Sequence, residues 1–367
     1  MTTPLRACLV GFGVAGRLHG TVLRGMGAEL TVVDPQSARY LPGGAGWSAV
    51  ERLPDRIVDR TDVWSVCCPT AEHLPVLRAL LARQPAARVL LEKPACPSRE
   101  IAQLRDLLAL HPRARVVVID QYAHARALDV LTEAVRAHGP QREVPEWLRI
   151  VFTKDRSSDI AAGRFVDLDY GVLGYEWLHM LAVLRRLLPP GAVRGYLSGR
   201  EPAGELRARY HPALFTTALE ERTALACGTA LELYSAVLAP SRAAVGPPPT
   251  DTAGWLAPST GSEHRRRYVL LRSGATAFRL DLDPVGAAAG WRLPRNAHRL
   301  TVERDGRLLE DRVIHDSPLD TAIRRGVSAL LAPGRPPRLD LEPLELIART
   351  AERLRTPCPV RSTEPAA

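Results

Sequence analysis

Lysine is nearly missing from this chain. Of 49 lysine and arginine residues only Lys93 and Lys154 are lysine, so arginine fills almost every position where a surface cation suffices. Arginine does not give up its proton, whereas the pKa of a lysine falls when the amine is desolvated or set beside another cation. Lys93 directly follows the apolar run Val89–Leu90–Leu91 and Glu92. It is therefore a proton-transfer candidate on composition alone.

Other scarcities exclude whole classes. No apolar run approaches the ~18 residues that cross a bilayer, and Met1–Thr2–Thr3–Pro4 lacks a charged-then-apolar leader; a cytoplasmic protein with no membrane partner is expected. The six cysteines (Cys8, Cys67, Cys68, Cys96, Cys227, Cys358) form no C-x-x-C pair and no metal-ligand spacing with histidine. They read as reduced thiols, with no metal site. Aromatic residues make up only 5% of the chain, and the one run of three arginines, Arg265–Arg267, has a single aromatic neighbour, Tyr268. That is too little for a base-stacking platform. The net charge of +9 is accordingly read as a field that attracts small anions, such as a dinucleotide, and not as a nucleic-acid interface.

At 367 residues the chain exceeds the roughly 250–300 residues at which one core stops growing, so two domains are expected. The first half alternates strand and helix. Leu5–Val10 reads as a strand that runs into Gly11–Phe12–Gly13–Val14–Ala15–Gly16 and then a helix. In such a turn the first glycine allows the bend, the second lets the backbone approach a pyrophosphate, and the third lets helix and strand pack closely. A second strand, Glu29–Val33, ends in Asp34, at the offset where an acid binds ribose hydroxyls and repels the 2′-phosphate of NADP. NAD is the expected cofactor, with NADP disfavoured and Arg39 able to soften that preference. Two further strands end in Cys68–Pro69–Thr70 and in Glu92–Lys93–Pro94, and ligands of an open parallel sheet gather at such carboxyl ends.

The second half has alternating runs separated by short glycine-containing turns: Cys227–Gly228, Ser273–Gly274 and Asp305–Gly306. This pattern predicts antiparallel hairpins. Ala239–Glu263, rich in Pro, Gly, Ser and Thr, reads as a loop, and two helices, Pro318–Leu331 and Glu342–Leu354, are expected to close the chain. The fold class is α/β: an N-terminal Rossmann dinucleotide-binding domain over residues 1–125 and a C-terminal α+β domain over 126–367 with a large, mostly antiparallel open sheet. The final helices are expected to pack back on the first domain.

The order of glycine turn, acid after the second strand, Pro–Thr with His73 shortly after, and Glu–Lys–Pro resembles the glucose–fructose oxidoreductase, inositol dehydrogenase and rhizopine-catabolism family of NAD(P)-dependent enzymes, over roughly residues 5–125. The resemblance implies that Gly11, Phe12, Gly13, Val14, Ala15, Gly16, Asp34, Pro69, Thr70, His73, Glu92 and Lys93 line the cofactor. It also implies that Lys93 lies by the nicotinamide and hydrogen-bonds the reacting hydroxyl. The family carries an aspartate and, four residues later, an acid/base histidine on the helix opening its second domain. His179 takes the histidine place here, Tyr175 stands in the aspartate place and Ala182 in that of a later aspartate. The resemblance further implies a homodimer or homotetramer formed through the second sheet.

Lys93, His179 and Tyr175 are thus the catalytic candidates. A histidine titrating near ~6.5 suits removal of a hydroxyl proton as hydride leaves. Tyr122, Arg126 and Lys154 are the candidate substrate contacts, while Glu176, Asp167 and Asp169 read as surface or capping residues, and His19 as structural or exposed. The expected activity is hydride transfer between nicotinamide and a hydroxyl or keto carbon of a sugar, cyclitol or related small polar metabolite. Reduction of an imine or conjugated double bond, a non-catalytic NAD-sensing regulator and a redox-assisted glycosidase are the alternatives.

Overall fold

The computed structural model describes residues 4–36, 46–140, 144–156, 160, 167–200, 204–211, 215–238, 265–282, 296–334 and 339–355. Arg39 and the predicted loop Ala239–Glu263 lie outside these residues. The glycine turn follows β1 (Arg6–Val10), whose last four residues are buried. With β2 (Glu29–Val33), β3 (Val63–Val66), β4 (Arg88–Leu91) and β5 (Arg115–Val118) it forms a five-stranded sheet in the order β2-β1-β3-β4-β5. Every pairing is parallel. Such strands are covered on both faces, which is why they read as continuous apolar runs and not as alternating ones. The chain order reverses between β1 and β3, and the crevice outside that point is where ligands of this architecture bind.

The second sheet has eight strands, β6 (Trp147–Lys154), β7 (Glu205–His211), β8 (Phe215–Ala224), β9 (Ala230–Ala236), β10 (Arg265–Ser273), β11 (Thr276–Asp281), β12 (Ala297–Arg304) and β13 (Arg307–His315), in the order β13-β12-β11-β10-β6-β9-β8-β7. All pairings are antiparallel except β6 with β9. The three predicted hairpins are the β8–β9, β10–β11 and β12–β13 connections. One face packs Leu148, Ile150, Phe152, Leu233, Val269, Phe278, Leu280 and Leu300 into the core, each worth ~1.5–3 kcal/mol when fully buried. The other carries charge pairs, including Arg149 with Glu232, Arg279 with Asp281 and Arg299 with Asp311, as expected of an antiparallel sheet with one polar face.

The closing helices are Pro318–Leu331 and Glu342–Arg355. The first returns to the five-stranded sheet: Ala322, Ile323, Val327 and Leu330 share a cluster with Leu9, Leu23, Leu90 and Ile119. Gly326 lets the helix sit directly on Leu90, because an added Cβ would stand 2.6 Å from its Cδ2. Among the described residues no helix is long and apolar enough to cross a membrane.

Candidate active site

The glycine turn leaves an open, uncapped helix start at the end of β1. Gly11 has φ +88°, and a Cβ there would come within 2.5 Å of the backbone nitrogen of Cys68, so the turn closes only on glycine. A Cβ on Gly16 would collide with the carbonyl oxygen of Gly11, whereas one on Gly13 would meet nothing within 4 Å. The middle glycine therefore faces open space at the start of the helix Val14–Gly25, whose N-cap makes no side-chain hydrogen bond. Backbone N–H groups at such a terminus bind phosphate. Asp34 accepts from Phe12 N–H at 2.7 Å and from Gln36 N–H at 2.7 Å. It thereby ties the second strand's end to the turn, and a carboxylate retains lone pairs for two ribose hydroxyls.

Pro69 is exposed and Thr70 half-buried at the start of the next helix, but His73 is buried. Its Nδ1 faces Pro94 O at 2.9 Å and its Nε2 faces Cys68 O at 2.9 Å. His73 thus joins the ends of β3 and β4, with a backbone carbonyl facing each ring nitrogen and the neutral ring's single N–H donating to one of them. Burial lowers its pKa, favouring the neutral ring. Behind the Glu–Lys–Pro motif lies a contact that no sequence signal isolates. His19, fully buried on the helix of the glycine turn, places Nε2 2.9 Å from Glu92 Oε1 and Nδ1 2.8 Å from Ser65 Oγ. Burial alone would lower its pKa, but Cys67 and Glu92 outweigh this and raise it to about 10. A raised histidine stabilises the fold fully below its unfolded pKa of ~6.5 and loses that contribution as pH rises through the folded value. Urea unfolding should therefore show stability falling between pH ~6.5 and ~10, and the slope should flatten in His19→Asn; an unchanged slope would remove the ion pair.

Lys93 reaches across from the first sheet. Its Nζ donates to the carbonyl oxygens of Gly174 at 3.1 Å and Tyr175 at 2.5 Å. Both carbonyls belong to a single π-helical turn, Leu173–Trp177, that precedes the helix Leu178–Leu187; such turns leave backbone acceptors free of the i→i−4 ladder. Burial pulls the Lys93 pKa down, with Arg156 and Arg267 reinforcing it and Glu176 and Glu92 opposing. Gly174 is forced by packing, since a Cβ would strike Asp167 Oδ2.

The π turn also alters the expected pairing of Tyr175 with His179. Tyr175 accepts from Asp167 N–H at 2.6 Å through its hydroxyl and lies under the Arg156 guanidinium, 4.5 Å from the ring centroid. His179 instead packs edge-on against Tyr122, with ring centroids 5.3 Å apart. His179 is 8% exposed, and its Nδ1 is buried with no hydrogen-bond partner among the described residues. Burial and the nearby Lys93 hold it well below the ordinary histidine range, so the ring is neutral at physiological pH.

Glu176 corrects the surface reading. It is 1% exposed and accepts a two-pronged pair from Arg267, at 3.1 Å from Nε and 2.9 Å from Nη2. Arg267, from the arginine run on β10, also donates to Tyr122 Oη at 3.1 Å. Burial would raise the Glu176 carboxyl, but Arg267 foremost holds it down at about 2. Asp167 is buried and caps the following turn through Oδ1, which accepts from Asp169 and Tyr170 N–H groups at 3.0 and 2.9 Å; its Oδ2 has no partner among the described residues. Asp169 accepts from Ser98 N–H and Oγ–H, a second link between the two sheets' surroundings. Asp120, at the end of β5, has one buried carboxylate oxygen, Oδ1, without a partner among the described residues. Arg126 is exposed at the start of the helix Arg126–His138, and Lys154 closes β6 opposite Arg265. The structure thus brings Lys93, Tyr122, Tyr175 and His179 into one cluster, which Glu176, Arg267 and Arg156 join by direct contact and Asp120 by its charge.

Residues 5–122 match the model of an oxidoreductase family described as having an NAD-binding Rossmann fold. No curated protein matches the chain. Solved structures that resemble it include a UDP-N-acetylglucosamine 3-dehydrogenase from Acidithiobacillus ferrooxidans, at 15% identity and TM-score 0.62 over 96% of this chain and 97% of that one. A 3-ketoreductase from Actinomadura kijaniata, in complex with TDP-benzene and NADP, matches at 13% identity and TM-score 0.65 over 96% and 98%. An oxidoreductase from Pseudomonas syringae matches at 15% identity and TM-score 0.62 over 95% of each chain. At these identities the likeness speaks for the fold of the whole chain, both sheets included. The glycine turn, Asp34 and the Glu92–Lys93–Pro94 strand end all lie within residues 5–122, the part of the chain that matches this oxidoreductase family with its NAD-binding Rossmann fold.

Proposed function

We propose that the protein transfers hydride between NAD and a hydroxyl or keto carbon of a sugar, with a sugar nucleotide as the substrate form that its structural neighbours favour. The observation that carries this reading is the Lys93 Nζ, drawn from the end of β4 onto the π turn that leads to His179. Bound nicotinamide would supply the hydride acceptor. The chain's own residues have the proton to manage. Lys93, its pKa lowered by burial, takes the hydroxyl proton on the lone pair of its neutral amine as the carbonyl forms. Neutral His179 offers a ring nitrogen to the same oxygen, and Tyr122, fixed by Arg267, walls the site. NAD is preferred because the Asp34 carboxylate would repel a 2′-phosphate. The polar outer face of the second sheet is the surface we assign to self-association.

The protein is expected to quench its tryptophan fluorescence on binding NADH and to reduce NAD in the presence of one member of a panel of sugar and nucleotide-sugar alcohols. NADH binding without turnover of any member would favour a sensing role instead. Replacing Asp34 by serine should shift the NADPH-to-NADH affinity ratio by roughly tenfold or more, the scale of removing one close like-charge contact. An unmoved ratio would take Asp34 out of the ribose site.

A further inference from the structure

The Lys93–His179 cluster has a gap in its proton chemistry. In the proposed reaction something must carry the hydroxyl proton away from Lys93, yet Tyr175 holds the place of the family acid and its hydroxyl is engaged with Asp167 N–H. His179 is a neutral, desolvated ring. Glu176 is locked on Arg267 by both oxygens, and Asp167 is committed to capping through Oδ1.

We propose that Asp120 fills this gap: it relays the substrate's hydroxyl proton from Lys93 to solvent in oxidation and returns it in reduction. The relay rests on the hydride-transfer reading above. Its ground is placement. β4 and β5 are adjacent parallel strands with Leu91 opposite Val118, and Ile119 N–H donates to Leu91 O at 2.8 Å. Asp120 remains extended, at φ −123° and ψ 94°, directly after that last bond, so it lies at the carboxyl edge of the sheet next to the strand end that carries Lys93. One oxygen, Oδ1, is buried without a partner among the described residues, while the residue as a whole is partly exposed. An unpartnered buried carboxylate oxygen costs free energy, and taking up a proton relieves that cost by removing the charge.

The surrounding groups are consistent with that task. The charges of Arg185, on the helix Leu178–Leu187, and of Lys93, just past the end of β4, act on the Asp120 carboxylate, and the N–H groups of Ala123 and Tyr122 face it from its own turn. Arg185 is paired with Asp340, and Arg325, on the helix packed over this turn, faces His124. Burial outweighs these cations and N–H donors and raises the carboxyl to about 7, where a relay is efficient. The step balances as follows. As the substrate C–H bond breaks, its electron pair and hydrogen pass as hydride to oxidised NAD, and the C–O double bond forms as the O–H bond breaks. The proton passes to the Lys93 amine, then to the Asp120 carboxylate, and then to water.

The test compares wild type, Asp120→Asn and Asp120→Glu. NADH binding by fluorescence checks that each is folded. In wild type, the pH profile of kcat should have a limb near pH 7. Asp120→Asn should lose that limb and fall roughly 100-fold in kcat, within the range for acid–base groups, with KM for NAD unchanged. Asp120→Glu should restore part of the rate with a shifted limb. Wild-type kcat and an unaltered profile in Asp120→Asn would overturn the relay; if that variant does not fold, an unshifted limb in Asp120→Glu does so. If wild type binds NADH but oxidises no sugar, the hydride-transfer reading fails separately. The relay is then decided by carbon-13 NMR of labelled aspartate. An Asp120 carboxyl that titrates near neutrality and moves in Lys93→Met supports it, and one that titrates near 4 overturns it.

Discussion

Lys93→Arg is expected to lower kcat by about 10²–10⁴-fold while NADH affinity changes by only a few-fold. The substitution keeps a cation and a donor at the end of β4, so a purely electrostatic or tethering role would survive it. A guanidinium does not release its proton near neutral pH, and its planar fork does not reproduce three donors around one nitrogen. The two carbonyls at 3.1 and 2.5 Å from Nζ converge on a point charge, a geometry that suits an ammonium. Lys93→Met should show the same loss of turnover and, in addition, a lower Tm, because the carbonyls of Gly174 and Tyr175 lose their donor. Single-turnover NADH formation with either variant gives the measurement. Wild-type rates in Lys93→Arg would reassign the proton to another group and leave Lys93 as a strut.

Glu176→Ala is expected to cost about 3–5 kcal/mol of folding stability, the range for stripping one partner from a buried ion pair. Arg267, 11% exposed in its side chain, would keep its charge without a counter-charge, and its hold on Tyr122 would slacken. Removing both charges together, as Glu176→Leu with Arg267→Met, should recover most of the loss, since neither ion is then stranded. The pH dependence has a definite sign. Glu176 is held at about 2 against an unfolded value of 4.5, so its stabilisation is present above ~4.5 and disappears as pH falls through ~2. Urea unfolding of wild type and both variants between pH 2 and 7 reads this directly. A loss below 1 kcal/mol in Glu176→Ala would mean that the pair is solvated and that Arg267 is free to meet substrate.

Local patterns account for what the chain order revealed. The glycine turn, the apolar β1, β3 and β4, and the hairpin turns Ser273–Gly274 and Asp305–Gly306 are written in residues a few positions apart, and each was readable by itself. The site's inner partners are not local. Glu176 meets an arginine 91 positions on, and His19 meets a carboxylate 73 positions on; a lone acid on a helix or a lone histidine after a glycine turn carries no mark of a distant counter-charge. His19 did leave one trace, its place among Gly16, Gly20 and Leu23 on the buried side of the helix. A titratable ring at that spacing must find a partner. The expected alignment of Tyr175 with His179 assumed regular α geometry, and the π turn replaced it. Parallel pairing of β6 with β9 inside an otherwise antiparallel sheet likewise has no signature in either strand.

The grip of Lys93 on Gly174 and Tyr175 passes through main-chain oxygens, and any residue type presents a main-chain oxygen. The anchor is therefore blind to the side chain at position 175. With an acid or a phenylalanine at position 175 in place of the tyrosine, the lysine is still moored at the same two atoms. The backbone keeps the lysine in place while position 175 is left open to variation, so substrate preference could drift there without first dismantling the site.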